Sequence, residues 1–160
     1  MVNRYRPHIY VVPEDDANRQ ILNGFLLEPG LDIRAIQVLP SAGGWSKVRD
    51  DFEHVYAPEM QNYPLRMMLL VIDFDKQGER LNVMKQGIPG NLNDRVFVLG
   101  VLSEPEQLKR ATGLSLESIG QGLATDCSNG TYVLWGHDLL RHNKAELQRM
   151  VTLVKPFLFG

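Results

Sequence analysis

Four acidic residues in two short segments have the spacing of a chemical site. Glu14 and Asp16 follow one short apolar run, and Asp73 and Asp75 follow the apolar run Met67 to Ile72. Carboxylates gathered in one crevice repel by several kcal/mol unless a proton or a cation lies between them. Oxygen ligands without soft donors favour Mg²⁺ or Mn²⁺. The four residues therefore predict a divalent-cation site acting on phosphate groups, with Glu14 as the group that moves a proton.

The elements that must position these residues follow from the same apolar runs. An unbroken apolar run is typical of a strand buried on both faces of a parallel sheet, and ligands bind at the carboxyl ends of such strands. If the extended backbone continues through Phe74, alternation turns Asp73 and Asp75 to the same side. A strand that ends in helix-capping aspartates is the alternative interpretation.

The order of the elements predicts the fold class. Alternating strands and helices indicate an α/β protein with a Rossmann-like, mostly parallel central sheet of about four to five strands and helices on both faces. We expect strands at 8–13, 33–39, 67–72 and 96–102, and a short edge strand at 131–134. Helices are expected at 17–27, 46–56, 77–85, 105–112, 116–124 and 138–153.

The composition excludes several classes of protein. The chain has 160 residues, 17 Lys and Arg against 19 Asp and Glu, and a formal net charge of -2. This balance argues against a generally basic surface that coats nucleic acid or an anionic membrane, although a local basic patch stays open. The single Cys127 excludes an internal disulfide, which favours the cytoplasm, and the 4 His show no zinc-ligand spacing. No run approaches the roughly 18 apolar residues that span a bilayer, so no membrane association is expected.

Two of these segments resemble a known family. Tyr10 to Glu14 and Val71 to Asp75 resemble the signature of the Toprim domain, which topoisomerases, primases and overcoming-lysogenization-defect nucleases share. The resemblance implies that Glu14 is a general acid or base and that Asp73 and Asp75 are metal ligands. The resemblance covers a Toprim-like core at 8–110. The length of 160 residues and the 44% hydrophobic content predict a single domain at 1–160, with a C-terminal helical extension at 111–160 packed on the core.

The resemblance to the nuclease branch of that family has two departures. Asp15 stands where that branch has a glycine, and Asn18 stands where a carboxylate is common, so a second metal site depends on Asp16. The implied activity is Mg²⁺- or Mn²⁺-dependent phosphodiester hydrolysis on DNA or RNA, by a nuclease or a nuclease subunit. Family analogy adds an ATPase as a partner. The apolar runs at 133–135 and 153–159 fit either the core or a homodimer contact.

Other functions compete with this interpretation. The segment Val11 to Arg19 is also similar to the acidic opening of response-regulator receiver domains. Asp73 would then be the phosphoacceptor, Ser103 the switch hydroxyl and Lys155 the conserved-type lysine. Against this, the spacing between the segments is longer than in receivers and Asp75 has no receiver counterpart. A non-catalytic Toprim-like interaction protein is the third alternative.

Basic residues near the acidic segments are candidates for phosphate or nucleic-acid binding. Lys47 follows the pair Gly43 and Gly44, whose backbone amides are suited to a phosphate. Lys76 and Arg80 flank the second acidic segment and could follow a nucleic-acid backbone. At the glycine pair the sequence favours the alternative of a helix-capped loop, and a solvated helix face is the alternative for Lys76 and Arg80.

Further polar residues lie outside the signature. Glu104 and Glu106 follow the fourth predicted strand and either complete the site or place negative charge at a helix N-terminus. His137 and His142 either contact a phosphate or act as capping and surface groups. The sequence leaves both alternatives open, as it does the oligomeric state and the choice between DNA and RNA.

Overall fold

The computed structural model describes residues 2–160, in which strands and helices alternate. In chain order the elements are β1 (His8–Pro13), α1 (Asp16–Phe25), β2 (Ile36–Val38), α2 (Trp45–Asp51), α3 (Ala57–Met60), β3 (Arg66–Val71), α4 (Glu79–Gln86), β4 (Val96–Leu99), α5 (Pro105–Thr112), α6 (Leu116–Asn129), α7 (Lys144–Leu153) and α8 (Lys155–Leu158). A π-helical turn spans Phe52–Tyr56, and 3-10 turns span Gly90–Arg95 and Arg141–Asn143.

The four strands form one parallel sheet in the order β2-β1-β3-β4. All six residues of β1 and all four of β4 are buried, as expected for strands covered on both faces. This confirms the predicted α/β class with a mostly parallel, Rossmann-like sheet. The second strand is shorter than predicted, and the fourth ends three residues early.

Helices cover both faces of the sheet because alternate strand residues point in opposite directions. Ile9 and Val11 of β1 pack with Leu22 of α1 in one apolar cluster. Tyr10 and Val12 pack in a second cluster on the other face, with residues of α2, α3 and α4. Burial of these two faces is the main contribution to stability.

The strand order creates a crevice between β1 and β3. The chain leaves β1 toward β2 on one side, then crosses back past β1 to form β3 and β4 on the other side. Such a reversal is the topological switch point, at which α/β sheets bind ligands beyond the carboxyl ends of the strands. Glu14 follows β1 directly and Asp73 lies two residues beyond β3, so both are at this point.

The outer edge of β4 is covered by polar side chains where a fifth strand could pair. Asn143 donates to the Gly100 carbonyl and accepts from the Gly100 amide, at 2.9 and 3.1 Å. Glu146 accepts from the Val98 amide at 3.0 Å, and Arg149 donates to the Val96 carbonyl at 3.4 Å. Side chains at the start of α7 therefore hydrogen-bond to the backbone groups of this edge, which would otherwise be free to pair with a strand of another chain.

Two predicted elements differ from the structure near this edge. The edge strand predicted at 131–134 is a turn, because the carboxylate of Asp126 accepts hydrogen bonds from the amides of Val133, Leu134 and Trp135. The helix predicted at 138–153 begins later, as the 3-10 turn Arg141–Asn143 followed by α7.

Close glycine contacts fix α6 against α1. A Cβ on Gly24 would collide with the backbone of Glu117, and a Cβ on Gly120 would collide with the backbone of Ile21. The two helices therefore approach until their backbones touch. Within the described residues, no helix combines the length and hydropathy needed to cross a membrane.

Candidate metal centre

Glu14 and Asp73 are brought together by the pairing of β1 with β3. The Glu14 amide donates to the Val71 carbonyl at 2.9 Å, which continues the sheet ladder past β1. The Asp73 amide then donates to Oε2 of Glu14 at 3.1 Å. The Glu14 carbonyl accepts from the amides of Gly43 and Gly44 at 2.7 and 3.2 Å. Glu14 is thus held through its backbone and its side chain, and it is only 6% exposed.

Asp15 is the third carboxylate of the group. It is the N-cap of α1, with extended backbone at φ -147, and its Oδ1 accepts from the Asn18 amide at 3.0 Å. The Asn18 side-chain nitrogen donates to the same Asp15 oxygen at 3.0 Å and to Oδ1 of Asp73 at 2.9 Å. Asn18 is buried and neutral, so it links two acidic residues without adding charge.

The three carboxylates can hold a metal ion. One oxygen from each of Glu14, Asp15 and Asp73 lies within 4.8 Å of the other two. Each side chain accepts hydrogen bonds from described residues through one oxygen only: Oε2 of Glu14, Oδ1 of Asp15 and Oδ1 of Asp73. The carboxyl groups of Glu14 and Asp73 also lie close enough to share a hydrogen bond when one of them is protonated, and a cation can take the place of that proton. A donor set made only of carboxylate oxygens fits a hard divalent cation.

The electrostatics of the pair also fit a bound cation. Burial raises the pKa of Asp73 to about 8, and the nearby charges of Glu14 and Asp15 act in the same direction against the hydrogen bond from Asn18. Burial also raises the pKa of the Glu14 carboxyl, and the charge of Asp15 adds to this. Without a cation, the pair therefore retains a proton toward neutral pH.

Asp16 and Asp75 are not part of this group. Asp16 is exposed at the start of α1, where its carboxylate accepts from Gln20 at 2.7 Å. Asp75 and Lys76 have left-handed backbone, φ 52 and 59, and the Gln77 amide donates to the Phe74 carbonyl at 2.8 Å. This is a turn of the type I′ kind, so the extended geometry that would align Asp75 with Asp73 is not maintained. The Asp75 side chain is 65% exposed and lies 3.5 Å from Arg80.

The predicted phosphate-binding residues have different surroundings. Lys47 and Lys76 are exposed. Arg80 is mostly buried, donates to the Asp73 carbonyl at 2.7 Å and has its guanidinium carbon 4.9 Å from the centre of the Trp45 ring. It therefore supports the Asp73 loop. The amides of Gly43 and Gly44 donate to the Glu14 carbonyl, so they are not free for a phosphate in this structure.

The remaining candidates lie around the site without joining the carboxylates. Glu104 and Glu106 are exposed at the start of α5. Nδ1 of His137 accepts from the Leu139 amide at 3.1 Å, and the His142 ring packs edge-on against Phe74 with centroids 5.0 Å apart. The Ser103 hydroxyl is buried and has no hydrogen-bond partner among the described residues.

Sequence reasoning missed Asp15 as a member of the group and Asn18 as the residue that bridges it. The spacing of the two residues carried a signal, because an Asp followed three residues later by Asn at a helix start is a capping arrangement. No sequence signal predicts the hydrogen bond from Asn18 to Asp73, because the two residues are 55 positions apart in the chain.

The fold and the acidic group define an α/β protein with a candidate cation site at its topological switch point. Comparisons of the chain with protein-family models, with curated proteins and with solved structures found no match. The chemistry of the site is therefore the basis for assigning a function.

Proposed function

We propose that this protein is a Toprim-like, Mg²⁺- or Mn²⁺-dependent enzyme that hydrolyses phosphodiester bonds in nucleic acid. The observation that carries the proposal is the contact between Glu14 and Asp73 at the switch point, with Asp15 completing a three-carboxylate group. Glu14 and Asp73 are the residues that the Toprim signature uses at the ends of its first and third strands.

The chemistry of the group supports the choice of cation and reaction. Asp15 and Asp73 would hold the cation through oxygens, as Mg²⁺ and Mn²⁺ prefer, and Glu14 lies beside them with one oxygen left for a proton. When bound, the cation supplies stabilisation of the charge that develops on phosphate oxygens. Glu14 would accept and return the proton at Oε1, because its Oε2 already binds the Asp73 amide. Burial raises the pKa of Glu14, which makes it a stronger acceptor for that proton.

The basic residues support a polyanionic substrate. Lys47, at the start of α2, and Lys76, in the turn after β3, are exposed and follow the carboxyl ends of β2 and β3. These ends lie on the same side of a parallel sheet as the carboxylates, so both ammonium groups can contact phosphates beside the scissile one. Arg80 positions Asp73 by donating to its carbonyl.

The experiment compares the protein with an Asp73→Asn variant. Plasmid DNA, single-stranded DNA and RNA are incubated with each protein in Mn²⁺, in Mg²⁺ and in chelator. We expect cleavage only with the cation and a loss of at least about 100-fold in Asp73→Asn. The exposed Asp94→Asn serves as the matched control and should cleave normally. Equal cleavage by the Asp73 variant and the parent would remove the nuclease assignment.

A receiver-like phosphoacceptor is the second candidate function. It is favoured by one observation: Asp15 belongs to the acidic group and Asp75 does not, which leaves Asp73 as a lone acceptor beside an acidic pair. Against it, the edge of β4 is covered by side chains, and Lys155 lies on α8 beside Gly130 with no ion pair to Asp73 in the described chain.

Phosphorylation separates the two candidates. Incubation with acetyl phosphate and Mg²⁺ would add the mass of one phosphoryl group to a receiver-like protein, and Asp73→Asn would not gain it. A nuclease would show no such gain. Failure of Mn²⁺ to raise the melting temperature would instead favour a non-catalytic interaction protein.

A further inference from the structure

A cavity of about 110 Å³ lies between the sheet and the helices on the α1 side. Val11, Leu108 and Leu123 line it and are buried, and its other lining side chains are almost all apolar. Protein cores contain few voids larger than a water molecule, and an empty cavity lowers stability in proportion to its volume. A cavity of this size and lining is therefore suited to an apolar ligand, as water would find no partners there.

The lining of the cavity extends along most of α1. Asn18, near the start of α1, and Phe25, at its end, both line it. Seven residues of helix separate them, which corresponds to about 10 Å. A span of this length has room for an extended, unbranched alkyl chain.

One end of the cavity has the features of an entrance. Phe25, Cys127, Lys155 and Phe159 line that end and are partly exposed, and the neighbouring Val151 is 41% exposed. Lys155 is the only cationic residue in the lining, and it forms no ion pair with a carboxylate of the described residues. The stem of Lys155 lines the cavity, and its ammonium group lies outside the apolar lining, beside Gly130. An apolar cavity with a cation at its rim matches a ligand with an apolar body and an anionic head.

We propose that this cavity is a binding site for a straight-chain amphiphile of medium length, with the alkyl chain between the sheet and α1 and a carboxylate-like head at Lys155. The inner end of the ligand's alkyl chain would contact Asn18, the residue that bridges Asp15 and Asp73. The site is independent of the proposed nuclease function, because neither the alkyl chain nor the head group of the ligand contacts the three carboxylates.

Calorimetric titration with chain-matched probes tests the proposal. Octanoate should bind saturably and raise the melting temperature, whereas octanol should bind about tenfold or more weakly, and octylamine more weakly still. Hexanoate should bind more weakly than octanoate, because each buried methylene adds to affinity. Absence of saturable octanoate binding would overturn the proposal, as would binding to phosphatidylglycerol vesicles without binding of monomeric octanoate.

Substitutions locate the ligand. Lys155→Gln should reduce octanoate affinity to that of octanol, whereas Lys144→Gln, on exposed α7 surface outside the lining, should leave it unchanged. Cys127→Phe fills the cavity and should abolish binding. Because a larger side chain there also changes the packing, Val151→Trp at the partly exposed mouth provides a second block in a variant whose unfolding remains that of the parent. Octanoate binding that survives both blocks would overturn the assignment.

Cys127 also provides a direct readout of occupancy. It is the only thiol of the chain and lines the cavity, so a thiol reagent can label no other residue. Octanoate should slow labelling in proportion to occupancy, with the same dissociation constant as calorimetry. Labelling at an unchanged rate under saturating octanoate would place the ligand elsewhere and contradict the proposal.

Discussion

The side chain of Asn18 donates a hydrogen bond to Oδ1 of Asp73 at 2.9 Å and so ties the start of α1 to the segment after β3. The same nitrogen donates to Asp15 at 3.0 Å. A neutral amide therefore links two acidic residues without adding charge. This relationship makes Asn18 the residue that keeps the acidic group assembled when no cation is present.

Asn18→Asp should destabilise the metal-free protein. The substitution removes the donor to Asp15 and Asp73 and adds a fourth carboxylate, with an expected loss of about 2 kcal/mol, or roughly 5 °C in melting temperature. Mn²⁺ should recover more stability in this variant than in the parent, because the added charge increases attraction for the cation. Asn23→Asp, at an exposed position of the same helix, is the matched control. Equal effects at the two positions would contradict the assigned role of Asn18.

Asp73 should make the metal-free protein less stable as pH rises. The pKa of Asp73 is raised by burial to about 8 from an ordinary value of 3.8, so the folded chain binds this proton more tightly than the unfolded chain does. The stabilisation is complete below the ordinary value and is lost as pH rises toward 8. Urea denaturation in chelator, from about pH 4 to about pH 8, should show this loss, and Asp73→Asn should flatten it. Asp75→Asn, with its exposed carboxylate, should retain the slope of the parent.

The meeting of Glu14 and Asp73 could be predicted because it depends on local patterns. Two apolar runs identify buried strands, and parallel pairing of those strands places the residues after them at one edge of the sheet. Identifying the strands and placing the residues that follow them both use only residues next to the site. The same reasoning correctly gives helices on both faces, since β1 and β4 are buried throughout and β3 nearly so.

The departure of Asp75 could not be predicted, because distant backbone determines it. The amides of Asp75 and Lys76 donate to the carbonyls of Ser103 and Leu102, which lie beyond β4. These bonds favour the two left-handed residues of the turn, a conformation that non-glycine residues rarely adopt. The cover of the β4 edge by α7 is likewise a tertiary feature, and Asn143 gives no sign of it in the sequence.

Gly120→Ala should weaken the packing of α6 on α1. The added Cβ would overlap the Ile21 carbonyl, and backbone on both helices must move, at an expected loss of about 2 to 3 kcal/mol. Gly122→Ala, two residues along the same helix, meets only the end of the Leu134 side chain at 3.0 Å. The gain in helix propensity should leave that control neutral or slightly stabilised. Chemical denaturation compares the two, and equal losses would show that the close approach at Gly120 has no energetic consequence.

Glu146→Gln should loosen the edge of β4. The Glu146 side chain is 5% exposed and accepts from the Val98 amide with one oxygen and from Lys85 and Arg149 with the other. Burial alone would raise its pKa, but these hydrogen bonds outweigh burial and hold the pKa below its ordinary value of 4.5. The stability that it contributes is therefore present above that value and is lost as pH falls through the lowered pKa. A glutamine has one acceptor oxygen, so it can accept either from the Val98 amide or from Lys85 and Arg149.

The expected loss for Glu146→Gln is about 2 kcal/mol at neutral pH, since solvent screens the partly exposed Lys85 and Arg149. Amide hydrogen exchange should accelerate at Val98, because its amide either loses its acceptor or shares the one glutamine oxygen with Lys85 and Arg149. Glu79→Gln, an exposed position on α4, should change neither stability nor exchange. Asn143→Ala should produce the corresponding acceleration at Gly100, because it removes the acceptor of that amide. If the Val98 and Gly100 amides remain protected from exchange in both variants, packing against the main chain alone would be enough to exclude water from the β4 edge.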